Sequence, residues 1–254
     1  MIGIKFGSFD MQANGCRVIR TDVYSPPAND IQADSLAERD GVLITQQRLK
    51  SKPFKVEGLL RASTRSAVEQ LRDTFLAAMS QKNQAFDIDY NGSTRRYLAS
   101  AENIMLTDTS LTTFAFTVSF LCPDGVGWDI DSSTLISAIG VTTSVAGLSL
   151  TVGGTYMASP SILLVINTMT GAATNTISIG NGSTLRTMSV TRAWAASDRL
   201  EVNSLTGTVY VNSIATDYKG QLPTFAPGAG SLSYLDDFSA RSVTISASYA
   251  KRWL

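Results

Sequence analysis

Between Thr113 and Phe120 the chain alternates strictly, with Phe114, Phe116, Val118 and Phe120 at every second position. A period of two puts those four side chains on one face of an extended segment, which predicts an antiparallel strand buried on one side. Ser242–Tyr249 shows the same alternation near the end of the chain. One convincing stretch has the helical period instead. Val68, Leu71, Phe75 and Met79 recur at steps of three and four, so 66–79 reads as an amphipathic helix whose single apolar stripe covers a sheet. Ser66 followed by Glu69 makes a capping box, with Ser63 and Thr64 as alternative caps. The segments Phe86–Tyr90 and Ser93–Leu98 flank Asn91-Gly92, a strong hairpin signal.

The second half repeats this grammar without a helix. Asn181-Gly182 joins Thr174–Ile179 to Ser183–Val190, and Thr206-Gly207 joins Arg199–Val202 to Thr208–Val211. Short strands at regular spacing with Gly-containing turns predict a β-sandwich. The two halves meet at Cys122-Pro-Asp-Gly-Val-Gly-Trp128, a Pro/Gly-punctuated linker. The expectation is therefore a mainly β protein of two domains, residues 1–127 with one helix and a hairpin, and residues 128–254 as a sandwich.

Composition sharpens this. The chain has 254 residues, 44% hydrophobic, enough for packed cores and long for a single one. Its 21 basic and 21 acidic residues balance, which removes the bulk attraction of a dedicated nucleic-acid or membrane-surface binder. The charges are unevenly spread: 28 fall in residues 1–127, 14 in residues 128–254, and none between Ser132 and Leu185. The absence of histidine excludes Ser-His-Asp and Cys-His catalysis, His-ligated zinc and a histidine pH switch. Cys16 and Cys122 fit no redox or metal spacing and read as two buried free thiols. No apolar run is long enough for a signal peptide or a membrane span, so no membrane is expected.

Candidate chemistry is sparse. No phosphate-binding or dinucleotide fingerprint is present. Asp124, Asp129 and Asp131 flank the linker and read as solvated turn carboxylates rather than a calcium loop. Asp236-Asp237 reads as an acidic turn before the last strand. One charge arrangement suggests more. Asp30, Asp34, Glu38 and Asp40 form an acidic stretch followed by Arg48, Lys50, Lys52 and Lys55. Either these are solvated edge strands whose charges block unwanted pairing, or acid meets base between copies in a head-to-tail contact that closes into a ring.

The motifs together resemble a known family. Glu38-Arg-Asp-Gly41, Phe54-Lys-Val-Glu-Gly-Leu-Leu-Arg61, Asp87-Ile-Asp-Tyr-Asn-Gly-Ser-Thr-Arg-Arg-Tyr97, Val118-Ser-Phe-Leu-Cys-Pro-Asp124 with Trp128, Leu222-Pro-Thr-Phe-Ala-Pro-Gly228 and Tyr249–Leu254 follow the order and spacing of the distal tail proteins (Dit) of long-tailed siphophages. The departures are Gly125, where a Pro often follows Cys-Pro-Asp, and Ala229, where Asn is common after Pro-Gly. The resemblance implies an N-terminal belt domain that forms a hexameric ring and a C-terminal galectin-like or carbohydrate-module-like sandwich outside it. It implies a structural virion component, not an enzyme, needing no cofactor or metal. Its partners would be further copies of itself, the tail-tube protein, the tail-associated tip protein and receptor-binding or baseplate proteins, with DNA only passing through the lumen. On this reading Asp34, Glu38, Asp40, Arg48, Lys50, Lys52 and Lys55 are subunit-contact candidates, and reversing Lys50 and Lys52 to Glu is expected to weaken the ring. Two alternatives stay open. One is a carbohydrate-binding adhesion module using Tyr156, Trp194, Tyr210, Tyr218 or Tyr234 as aromatic platforms. The other is a carboxylate-based glycosidase using Asp129, Asp131, Asp236 or Asp237.

Overall fold

A computed structural model describes residues 3–35, 40–90, 92–184 and 186–254. It separates into two compact units, one of Met1–Ile130 with Leu254 and one of Asp131–Trp253, against the expected break after Gly127.

In the first unit the elements are β1 (Ile4–Phe6), β2 (Phe9–Asp10), β3 (Cys16–Thr21), β4 (Asn29–Ser35), β5 (Val42–Leu49), β6 (Lys52–Arg61), α1 (Arg65–Met79), β7 (Gln84–Tyr90), β8 (Ser93–Ser110), β9 (Thr113–Cys122) and β10 (Gly127–Asp129). Seven strands pair in the order β2-β1-β7-β8-β9-β6-β3, and β10 adds to β8. The alternating segment is β9, and Phe114, Phe116, Val118 and Phe120 are all buried. Its neighbour β6 aligns Phe54 with Phe120 and Val56 with Val118, so two apolar rows lie side by side. Phe54 stacks on Phe120 at 5.3 Å between centroids, and Phe86 meets Phe54 edge-on at 4.8 Å. Helix α1 packs on β6, β8 and β9 and buries Val68, Phe75 and Met79, while Leu71 is half-buried against the same core. Thr64 is the cap in place of Ser66: it is extended, and its hydroxyl accepts the Ala67 N–H at 3.2 Å. The two cysteines are buried and free. Burial, with Asp10 adding to it, pushes the Cys16 thiol up to about 12.

The second unit contains β11 (Ser133–Val141), β12 (Val145–Val152), β13 (Ser161–Thr170), β14 (Asn175–Asn181), β15 (Arg186–Arg192), β16 (Arg199–Asn203), β17 (Thr208–Val211), β18 (Ile214–Ala215), β19 (Lys219–Gly220), β20 (Gly228–Asp236) and β21 (Ala240–Tyr249). They form a six-stranded sheet, β11-β21-β13-β16-β17-β18, and a five-stranded sheet, β12-β20-β14-β15-β19. Ile162, Leu164 and Ile166 of the first and Ile177, Ile179 and Leu232 of the second share one apolar cluster, as a sandwich requires. Both expected hairpins form, with four-residue rather than two-residue turns. Asn181 pairs with Arg186 and Asn203 with Thr208. Each asparagine ends its strand, and its side-chain oxygen accepts two N–H groups of the turn: Ser183 and Thr184 at 2.8 and 3.2 Å, Leu205 and Thr206 at 3.0 and 3.1 Å. The asparagines thus cap the turns instead of sitting within them.

Candidate assembly surface

Strands β4 and β5 pair only with each other, forming a two-stranded arm that belongs to no larger sheet. A lone hairpin is marginal in water because one pair of strands buries too little apolar surface. Here Ile31 is 52% exposed, Val42 62% and Ile44 55%. The register shows how these come to share a face. Asp30 lies opposite Arg48, Ile31 opposite Gln47 and Gln32 opposite Gln46, but Ala33 lies opposite Ile44. Thr45 is the extra residue of a β-bulge, and its hydroxyl donates to the Gln32 carbonyl at 3.3 Å. The one-residue offset brings Ile44 and Val42 onto the Ile31 side, leaving Asp30, Gln32, Asp34 and Arg48 on the other, with Leu43 as the one exposed apolar side chain among them. The arm is amphipathic, and among the described residues nothing covers its apolar face.

This register also decides what the acid-then-base stretch does within one chain. Antiparallel pairing folds the basic segment back onto the acidic one, so Asp30 bonds Arg48 Nε at 3.3 Å and Lys50 Nζ at 3.4 Å. Those hydrogen bonds hold the exposed Asp30 carboxyl below its usual range. Asp34 and Asp40 are exposed near the tip; Glu38 lies outside the described residues. Lys55 is exposed on β6. Lys52 is not on the surface. It occupies the inward row of β6 with Phe54 and Val56, is 2% exposed, and lies over the Tyr97 ring at 4.7 Å from the centroid. Among the described residues no group hydrogen-bonds its Nζ, and burial lowers its pKa to about 8. Reversing it to Glu would test the core, not a subunit contact.

A basic surface exists elsewhere. In β3 and β6, Arg17 pairs with Leu59 and Arg20 with Glu57, while Cys16, Val18 and Thr21 pair with the inward row. Arg17, Arg20, Lys55 and Arg61 therefore share the outer sheet face, all exposed, with Glu57 among them. None of the four makes an ion pair among the described residues. Sequence reasoning overlooked Arg17, Arg20 and Arg61, which are scattered in the chain and meet only through strand register.

Residues 20–122, the segment holding the arm and most of this sheet, match the family of the phage tail protein RIFT-related domain. The match lies wholly within the first unit. Over the whole chain the fold is that of Dit (gp 19.1) of SPP1, described as a paradigm of the hub adsorption apparatus in phages that infect Gram-positive hosts. The two share 15% identity at a TM-score of 0.72 with complete coverage of both chains. A chain of the phage P2 baseplate, in its activated conformation with Ca, aligns at 9% identity over 99% of this chain and 98% of its own. Its TM-score of 0.48 adds nothing to the fold. No curated protein sequence matches. The likeness to distal tail proteins drawn from the sequence stands.

In the second unit, two of the five aromatic platforms are core residues. Trp194 is buried and donates its indole N–H to the Asn175 carbonyl at 3.0 Å. Tyr234 is fully buried and donates to Asp236, and burial followed by that contact raises its phenol pKa. Neither offers a ring face to a sugar. Tyr156 is half-buried beneath the Arg252 guanidinium at 5.1 Å. Tyr210 and Tyr218, also half-buried, line one shallow depression with Thr208 and Asp217. The acidic turn is a turn only at Asp237, which is exposed and accepts the Thr176 N–H at 2.8 Å. Asp236 instead carries a buried ion pair with Arg241 at 2.9 Å and accepts the Phe238 N–H at 2.9 Å. Its oxygens are committed inside the fold. No three His, Cys, Asp or Glu side chains among the described residues come together to hold a metal.

Proposed function

We propose that the protein is a structural hub of a long-tailed phage tail tip, in which copies close into a hexameric ring that joins the tail tube to the tip or receptor-binding apparatus. The fold shared with SPP1 Dit and the tail domain over residues 20–122 support this role. The observation that carries self-assembly is the arm. It projects an apolar face of Ile31, Val42 and Ile44 and an acidic end with Asp34 and Asp40, and one chain supplies no cover for either. The occupant we assign is the next copy of the same chain, whose sheet face bears Arg17, Arg20, Lys55 and Arg61. Apolar burial would supply most of the affinity, and opposite charge would fix the orientation. A contact between two different surfaces is heterologous, the kind that closes rings. The tail-tube and tip proteins would take the two rims of that ring, and DNA would cross its lumen.

Light scattering and negative-stain imaging of the purified chain test this. We expect a six-fold ring, and an Ile31→Asp/Ile44→Asp variant that stays folded but falls to a monomer. A wild-type chain that is monomeric at high concentration, or a variant that keeps its mass, would overturn the assignment.

A further inference from the structure

The second unit's sandwich is not apolar to its end. Along β14 the inward positions run Ile177, Ile179, Asn181, and along β15 they run Val190, Met188, Arg186. Asn181 and Arg186 are directly opposite each other, so both side chains lie on the core side of the sheet. On β20 the sequence Tyr234, Leu232, Gly230 ends in a residue with no side chain. Three neighbouring strands therefore exchange apolar groups for an amide, a guanidinium and a gap at the same end. The result is a cavity of about 400 Å³ against the buried ring of Phe225 and the thioether of Met157. That size falls among ligand pockets, which run about 300–1,000 Å³.

Its polar groups are held ready. Asn181 is buried, its oxygen holds the Ser183 and Thr184 N–H groups, and its amide donates to the Thr224 carbonyl at 2.6 Å. This fixes the turn whose Ser183 and Thr184 line the cavity. Arg186 is exposed at the opening and makes no ion pair among the described residues. The Thr224 hydroxyl is buried without a hydrogen-bond partner, and Thr224 lines the cavity. Rotation about χ1 moves a threonine hydroxyl between staggered positions, and turning it to the cavity would end its isolation.

We propose that this open end binds a small polyhydroxylated anion, a sugar or polyol unit bearing a carboxylate or phosphate. Arg186 would take the oxyanion through its paired N–H groups. The Ser183, Thr184 and Thr224 hydroxyls would bond the ligand's hydroxyls, and Phe225 with Met157 would meet its C–H surface. The site is distinct from the aromatic platforms and does not depend on ring formation.

Calorimetric titration of the full chain tests it with four probes: glucuronic acid, glycerol 3-phosphate, glucose and inorganic phosphate. At least one of the first two should bind saturably, and which of them does identifies the anion. Glucose and inorganic phosphate should bind about tenfold more weakly or not at all, each lacking half of the chemistry. Arg186→Gln should weaken the binding probe by about tenfold or more. Thr224→Val should weaken it as well while raising the melting temperature, whereas a merely structural threonine would give the rise alone. The proposal fails if neither anionic polyol saturates, if glucose or inorganic phosphate binds as tightly, or if Arg186→Gln or Thr224→Val binds like wild type.

Discussion

Lys52 carries a charge into the core of the first unit, and pH reads the cost. Burial disfavours the ammonium and Arg95 adds to the effect, while Cys122 and Asp22 oppose it, so the pKa falls from 10.5 to about 8. Between those two values the unfolded chain holds a proton that the folded chain has released. Stability therefore rises with pH across this window, and below about pH 8 the full penalty of the buried charge is present. Each pKa unit corresponds to about 1.4 kcal/mol, which makes the effect about 3 kcal/mol, less whatever the Tyr97 ring returns. Lys52→Met should raise unfolding free energy at pH 7 and flatten the rise between pH 8 and 10.5. Denaturant titrations at several pH values would show it; a variant no more stable than wild type at pH 7 would contradict the penalty. The burial of Lys52 was legible in one respect, since it keeps the period of two with Phe54 and Val56. Residue type argued the other way, because lysine is rarely fully buried. Asp236 repeats the case, two positions after Tyr234 on the inward row of β20.

At the scale of elements, legibility followed burial. The β9 strand and the α1 stripe could be read because one face of each packs against a core, which imposes a period. The arm was legible only as solvated edge strands without a register, because Asn29–Ser35 packs on no core among the described residues and so carries little alternation. Its register depends on one residue. Inserting one residue between Gln32 and Ala33 would give Thr45 a partner, restore regular pairing and turn Val42 and Ile44 away from Ile31, with no change in composition apart from the one added residue. The expected outcome is a chain with an unchanged melting temperature, since the arm lies outside the apolar cluster, that no longer forms rings in light scattering. Rings of unchanged mass would mean that the apolar face is not the contact. The turns teach a related lesson: Asn-Gly and Thr-Gly located both hairpins of the sandwich, but Asn181 and Asn203 act through their side chains and so lengthen each turn.

The whole molecule divides its labour by charge. The first half carries twice as many charged residues as the second, yet the acid and base that are adjacent in sequence are spent on each other at Asp30, Arg48 and Lys50. Among the described residues, the acidic end of the arm with Asp34 and Asp40 and the basic sheet face with Arg17, Arg20, Lys55 and Arg61 make no ion pair, and only strand register gathers the latter. If these meet between copies, Arg20→Glu should weaken the ring, Asp34→Lys should do the same, and the two together should recover part of the loss. Light scattering across a salt series checks this. The single-variant defects should shrink as salt rises, because the Debye length falls to about 8 Å at 0.15 M. Equal defects at all salt concentrations would remove charge from the assembly.

The bare arm also has a consequence for the chain before it is incorporated. Two strands that pair only with each other leave both outer edges with unspent N–H and C=O groups beside an oily face, the template on which chains stick out of register. Asp30, Arg48 and Lys50 on the opposite face and the carboxylates near the tip are the available gatekeepers. On the proposed assembly, the subunit must stay soluble long enough to meet its own kind in the right orientation, and the same few side chains would govern both outcomes.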